Sequence, residues 1–185
     1  MSITTRASSG YAALLRGVNV GGKNKLPMRE LSTIFSDAGC TDVVHYIQSG
    51  NVVFRASASL AERIAALVEE RVHARFGFAP PVVIRTKSEL ASIVRNNPFV
   101  ARGDDAAKLF VMFLADRPGA ARLAELDPRR SPGDDFVVKG KDIFMCLGAG
   151  AAKTKLTNDY FDRKLATTST SRNWRTVQKL LELLA

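Results

Sequence analysis

The feature that most constrains the fold is a pattern of punctuation that occurs twice. Residues 43–48 and 51–55 are β-rich runs around Ser49-Gly50, and residues 135–138 and 142–147 flank Lys139-Gly140-Lys141. Short glycine-bearing spacers between such runs specify hairpins, and hairpins build antiparallel sheets. The elements around the first hairpin are equally well marked. Residues 11–16 read as a strand. Pro27 suits the first turn of a helix, where its missing N–H costs nothing. Met28, Leu31, Ile34, Phe35 and Ala38 then share a helical face that Gly39 stops. Leu60, Ile64, Leu67, Val68, Val72 and Phe76 form a second face, closed by Gly77. Pro80-Pro81 leads into a strand at 82–85. Thr86-Lys87-Ser88-Glu89 is a capping box, opening a short helix that Asn97-Pro98 ends.

The same order then recurs. A strand at 109–115 precedes a short helical stretch opened by Pro118-Gly119 and running to 126. The second hairpin follows, then a helix at 158–165, a strand at 166–169 and a last helix at 172–184. Trp174, Val177, Leu181 and Leu184 share one face of that helix. Residues 86–94 parallel 170–178: a threonine with apolar residues four and seven positions later. The expected fold is α+β: an internal duplication of about 85–97 residues, each half ferredoxin-like (βαββαβ plus a trailing helix), with the halves sharing a core. The polar break from Asn97-Pro98 to Gly103-Asp104-Asp105 divides the chain into 1–102 and 103–185. Residues 109–114 are continuously apolar, so that strand is expected to be covered on both faces.

Composition narrows the function classes. No apolar stretch approaches the ~18 residues of a membrane span, and the first ten residues lack a signal-peptide core. A cytoplasmic protein without a membrane partner is expected. Two cysteines far apart and two histidines give no metal-ligand spacing, so no metal is expected. Net charge is +9, and the excess is concentrated at the ends. Residues 1–36 hold five Arg/Lys against one acid, and residues 153–185 hold seven against three. If the ends meet, they form one positive patch.

Within the first cationic stretch, a strand gives way to Arg16-Gly17-Val18-Asn19-Val20-Gly21-Gly22-Lys23-Asn24-Lys25. The spacing Gly17-x-x-x-x-Gly22-Lys23 nearly spells a P-loop. Asn24 stands where that motif needs a hydroxyl for magnesium, and Lys25, Leu26 and Pro27 separate the lysine from the helix. P-loop enzymes also need a parallel sheet, which hairpins do not build. What remains is a loop where the backbone amides of Gly17, Gly21 and Gly22 can approach an anion, Arg16, Lys23 and Lys25 add charge, and Asn19 and Asn24 are candidates for hydrogen-bonding it. The alternative is a loop whose glycines serve only its turns. In a βαββαβ fold the loop after the first strand and the tip of the first hairpin lie at the same end of the sheet. Gln48, Ser49 and Asn51 should therefore border it, adding amide and hydroxyl groups. A second candidate is Thr170-Ser171-Arg172-Asn173-Trp174-Arg175 at an expected helix start. There, exposed N–H groups with Arg172, Asn173 and Arg175 could hold a phosphate, unless Thr170 or Ser171 is simply an N-cap. Trp174 shares the phase of the apolar face and reads as a core anchor.

Catalytic signals are thin: no Gly-x-Ser-x-Gly elbow, no Cys–His pair in a recognisable setting, no paired carboxylates. The third strand has one phenylalanine and no Lys-Gly-Phe signature, which disfavours base stacking of the RNA-recognition type. The segments Leu14-Leu15-Arg16-Gly17-Val18-Asn19-Val20-Gly21-Gly22, Tyr46-Ile47-Gln48-Ser49-Gly50-Asn51-Val52-Val53-Phe54 and Ser171-Arg172-Asn173-Trp174-Arg175-Thr176-Val177 together resemble the bacterial family catalogued as domain of unknown function 1697. The resemblance implies a duplicated ferredoxin-like architecture and supplies no reaction and no cofactor. The functional expectation is a binding protein for an anionic, phosphate-containing small molecule or a nucleic acid. An enzyme of unassigned reaction in the same cleft and a protein-interaction module are the alternatives.

Overall fold

The computed structural model describes residues 8–185; most of the polar opening stretch, residues 1–7, lies outside the described residues. Among the described residues the chain order is β1 (Ser9–Leu15), α1 (Met28–Asp37), β2 (Thr41–Tyr46), β3 (Asn51–Ala56), α2 (Ala58–Ala61), α3 (Ile64–Phe76), β4 (Val82–Thr86), α4 (Lys87–Arg95), α5 (Pro98–Arg102), β5 (Leu109–Leu114), α6 (Ala120–Leu123), β6 (Asp134–Lys139), β7 (Asp142–Leu147), α7 (Asn158–Leu165), β8 (Ser169–Asn173) and α8 (Trp174–Leu183). The strands form two four-stranded sheets, ordered β2-β3-β1-β4 and β6-β7-β5-β8. Every pairing is antiparallel. The fold is the duplicated ferredoxin-like α+β architecture. The last strand of the first sheet ends at Thr86 and the first strand of the second begins at Leu109. By compactness, one unit runs to Leu90 and includes Leu180–Ala185, and the other is Ala91–Lys179.

In the first unit, Tyr11, Ala13 and Leu15 of β1 and Val52, Phe54 and Ala56 of β3 pack with Leu31, Ile34 and Phe35 of α1 and Ile64, Val68 and Val72 of α3. Phe54 lies between Tyr11 and Phe35, with ring centroids 5.6 and 5.0 Å away. In the second unit, Met112, Leu114, Ile143, Met145 and Leu147 pack with Tyr160, Phe161 and Leu165 of α7. Strand β5 is buried on both faces, apart from a half-buried Phe110, as its continuous apolar run requires. No helix among the described residues is long and apolar enough to cross a membrane.

Strand registers correct the alignment of the repeat. Tyr11 pairs with Thr86, and its counterpart Phe110 pairs with Asn173. The partner of Thr86 in the duplication is therefore Asn173, not Thr170. Both open a helix. Glu89 N–H donates to Thr86 Oγ1 (3.1 Å) while Thr86 N–H donates to Glu89 Oε2 (2.7 Å), and Thr176 N–H donates to Asn173 Oδ1 (2.8 Å). The expected strand at 166–169 lies instead at Ser169–Asn173, and the last helix starts at Trp174, not at 172. The ladder to β5 draws this polar run into the sheet, and its composition hides a strand. Two smaller differences concern helix starts. Pro98, expected only to end α4, opens α5 with Asn97 as its cap, and the stretch after Pro118-Gly119 is helical only at Ala120–Leu123, which buries no residue.

The β2–β3 connection closes tightly on the end of β1. Leu15 N–H donates to Gly50 O at 2.8 Å. A Cβ on Gly50 would stand 2.6 Å from Val18 Cγ2 and 2.8 Å from Leu15 Cβ, at φ +73°. Gly50→Ala is therefore expected to destabilise the protein by about 3 kcal/mol, from left-handed strain plus overpacking, measured by urea unfolding. Asn173→Ala, which removes one cap from α8, should cost about 1 kcal/mol in the same experiment.

Candidate functional site

The glycine-rich basic loop is a small closed structure. Beyond β1, five residues adopt positive φ: Gly17, Asn19, Gly21, Gly22 and Asn24. Lys23 N–H donates to Val20 O at 3.0 Å, so Gly21 and Gly22 form the two-residue tip of a miniature hairpin. Consecutive positive φ values are what a primed two-residue turn demands. A Cβ at Gly17, Gly21 or Gly22 would meet open space, so backbone conformation and not crowding selects glycine there. Below the tip, Asn19 N–H donates to Asn24 O (3.1 Å) and Asn24 Nδ2 to Gly17 O (3.0 Å). Val18 and Leu26, both buried, root the loop in the first unit's core.

Asn19 ties this loop to the hairpin. Its Oδ1 accepts from Leu26 N–H at 2.8 Å, and its Nδ2 donates to Leu26 O at 2.9 Å and to Gln48 O at 2.8 Å. The expected neighbourhood of residues 17–25 and 48–51 is thus present, because β1 and β2 run in the same direction on either side of β3. The roles within it differ from expectation. Asn19, Asn24 and Asn51 were candidates for contacting a ligand, yet their amides hold the loops together. Asn51 is fully buried, with Nδ2 donating to Ser49 Oγ (2.9 Å) and Tyr46 O (3.2 Å). Lys23, Lys25 and Gln48 are exposed; Arg16 and Ser49 are half-buried. The N–H groups of Gly21 and Gly22 donate to nothing among the described residues. Val20 and Ile47 expose 63% and 48% of their surface beside them.

Residues 16–25 and 48–51 contain amides, one hydroxyl and cations, with no carboxylate, thiol or imidazole. Burial pushes the Cys40 thiol up to about 11, and burial followed by the nearby Asp104 charge raises that of Cys146. Both thiols are protonated near neutral pH and are poor nucleophiles. Among the described residues, no group of three or more His, Cys, Asp or Glu could hold a metal ion. The near-P-loop has no parallel sheet beneath it, and Asn24 closes the loop on Gly17 O.

The C-terminal candidates belong to the other unit. Arg172 is not at a helix start; it lies within β8, 8% exposed. Its Nη1 donates to Thr170 Oγ1 (2.7 Å) and Ser171 O (2.8 Å). Burial pulls the guanidinium down to about 10, which leaves it cationic at neutral pH. Arg85 is its counterpart: pairing with Ala12 as Arg172 pairs with Val111, it is 1% exposed and donates from Nη1 to Ile84 O at 3.0 Å. A buried arginine in the last strand of each half is thus a feature of the duplicated framework. Aligning Arg85 with Arg172, instead of Thr86 with Thr170, matches the two arginines in the sequence, and their burial follows only from the strand ladders. Asn173 caps α8, Trp174 is buried, and Arg175 is exposed.

Comparison with known proteins supports the architecture. A family profile described as "Protein of unknown function (DUF1697)" matches residues 9–144. The structure of conserved bacterial protein SP0830 from Streptococcus pneumoniae is similar, with a TM-score of 0.72 and 24% identity over 97% of this chain and 100% of that one. At that identity the likeness speaks to the fold alone. No curated protein is a significant match. The profile spans the basic loop, the first hairpin and the turn of the second, and the chain belongs to the DUF1697 family of proteins of unknown function.

Proposed function

We propose that this is a cytoplasmic binding protein for an anionic, phosphate-containing ligand, a nucleotide or nucleic acid, held against the basic loop and the first hairpin. The observation that carries this reading is the Asn19 side chain, bonded to both Leu26 and Gln48. It fixes one surface on which Lys23, Lys25 and Gln48 are exposed beside the undonated N–H groups of Gly21 and Gly22. Preorganised N–H groups flanked by cations suit phosphate oxygens. An enzymatic role is less well supported, because residues 16–25 and 48–51 include no carboxylate, thiol or imidazole. Exposure of Val20 and Ile47 at the same tip favours protein recognition as the second reading.

Titration of ATP and of a fluorescently labelled single-stranded oligonucleotide at 50–200 mM salt tests the proposal. Affinity should fall as salt rises. The Lys23→Ala/Lys25→Ala variant should bind about tenfold more weakly, and its log–log salt slope for the oligonucleotide should be shallower by about 1–2. Salt-insensitive binding, or unchanged affinity in the variant, would show that the loop is not the site.

A further inference from the structure

We infer that the second unit contains a binding pocket for a small, uncharged, mainly apolar molecule, at a place where the first unit has a filled core. The argument begins from the duplication. In the first unit, 10-residue α1, 4-residue α2 and 13-residue α3 lie between the strands that face them in sequence, and α1 and α3 bury side chains over the sheet. In the second, only 4-residue α6 and 8-residue α7 occupy those places, and α6 buries no side chain. The sheet positions beneath differ in both directions: Met112 and Leu147 stand where the first unit has Ala13 and Ala56, while an aromatic and a branched side chain are replaced. Register equates Phe54 with Met145 and Ile84 with Ser171. The aromatic cluster Tyr11–Phe54–Phe35 therefore has no full counterpart.

The result is a cavity of ≈ 320 Å³ whose floor is Phe110, Met112, Met145, Leu147 and Ser171. Its walls come from the segment leading into α7: Ala151, Thr154, Leu156, Thr157 and Asn158. The volume suits a small organic molecule. None of the ten lining residues is ionisable, and although Lys153 and Lys155 flank Thr154 in sequence, neither lines the cavity. A charged ligand would lose its hydration without a counter-charge. Directional groups are nevertheless present. Ser171 Oγ has no hydrogen-bond partner among the described residues. Asn158 Nδ2 donates to Ser169 Oγ (2.8 Å), which in turn donates to Asp162 Oδ1 (2.6 Å). That chain orients the carboxamide and leaves Asn158 Oδ1 as an acceptor. The hydroxyls of Thr154 and Thr157 accept from Leu156 N–H and Tyr160 N–H and retain a proton to donate. The two methionines give the floor an adaptable, polarisable surface. Together these groups fit a single aromatic or heteroaromatic ring carrying both an N–H donor and a carbonyl acceptor. The pocket lies in a different unit from the basic loop, so either assignment can fail without the other.

Benzamide is a suitable probe, read through the ¹³C-labelled methionine methyl groups. Met112 and Met145 line the pocket, whereas Met28 lies in the first unit's core and serves as the reference. Benzamide should shift Met112 and Met145 saturably, with half-saturation at roughly 1–10 mM for a fragment of that size, and leave Met28 in place. Benzoate should bind at least about tenfold more weakly. The Met145→Phe/Ser171→Ile variant, which transplants the first unit's side chains, should abolish the Met112 response. Ala151→Trp, at an exposed wall position, provides the same readout should the double variant fail to fold. The proposal is overturned by an absence of saturable shifts, by benzoate binding as well as benzamide, or by an undiminished Met112 response in a folded pocket-filled variant.

Discussion

Each half of this protein depends on a central strand hydrogen-bonded along both edges. Strand β1 sits between β3 and β4, and β5 sits between β7 and β8. A strand in that position has its backbone satisfied by neighbours, and here both of its faces are also covered, which calls for apolar side chains throughout. Residues Tyr11–Leu15 and Val111–Leu114 are buried without interruption. The candidate basic surface hangs from the end of the first of these strands. The basic loop is the continuation of β1, and the β2–β3 turn returns to the same end because β2 runs parallel to β1.

That arrangement ties the candidate surface together. A glycine-rich loop by itself would be mobile, since glycine is the least restricted residue. Here it is folded into a two-residue hairpin, rooted by Val18 and Leu26, and bonded across to Gln48 through one asparagine side chain. Of the four asparagine and glutamine side chains expected to meet a ligand at this loop and hairpin, three maintain the framework instead. The cations and the undonated glycine N–H groups are what such a framework presents outward. The two halves have also diverged in a physically informative way. The first keeps two substantial helices over its sheet and an aromatic cluster beneath them. The second has less helical cover, and Met145 and Ser171 stand where the first has Phe54 and Ile84.

The fold was largely legible in the sequence, and the candidate site partly so. Glycine-bearing hairpin spacers, the Thr86–Glu89 capping box and the helical faces ended by Gly39 and Gly77 are local signals, and all appear in the structure. The nearness of residues 17–25 and 48–51 also followed from topology. Strand β8 did not, because Ser169–Asn173 is polar and becomes a strand only through its ladder to β5. Arg172 was misplaced for the same reason: a cation in a polar run reads as surface until pairing with Val111 puts it inside the sheet.

By itself, then, the amino-acid sequence determined the element order, the duplication, the antiparallel pairing and the location of the basic loop. Backbone conformational limits and side-chain periodicity act over a few residues and can be read from neighbours. Tertiary structure alone decided which amides are framework and which groups face outward. It also decided that each half buries an arginine in its last strand, and that shortened helices leave a cavity over the second sheet. Those outcomes depend on hydrogen-bond partners and volumes contributed by distant segments, and no local pattern encodes them.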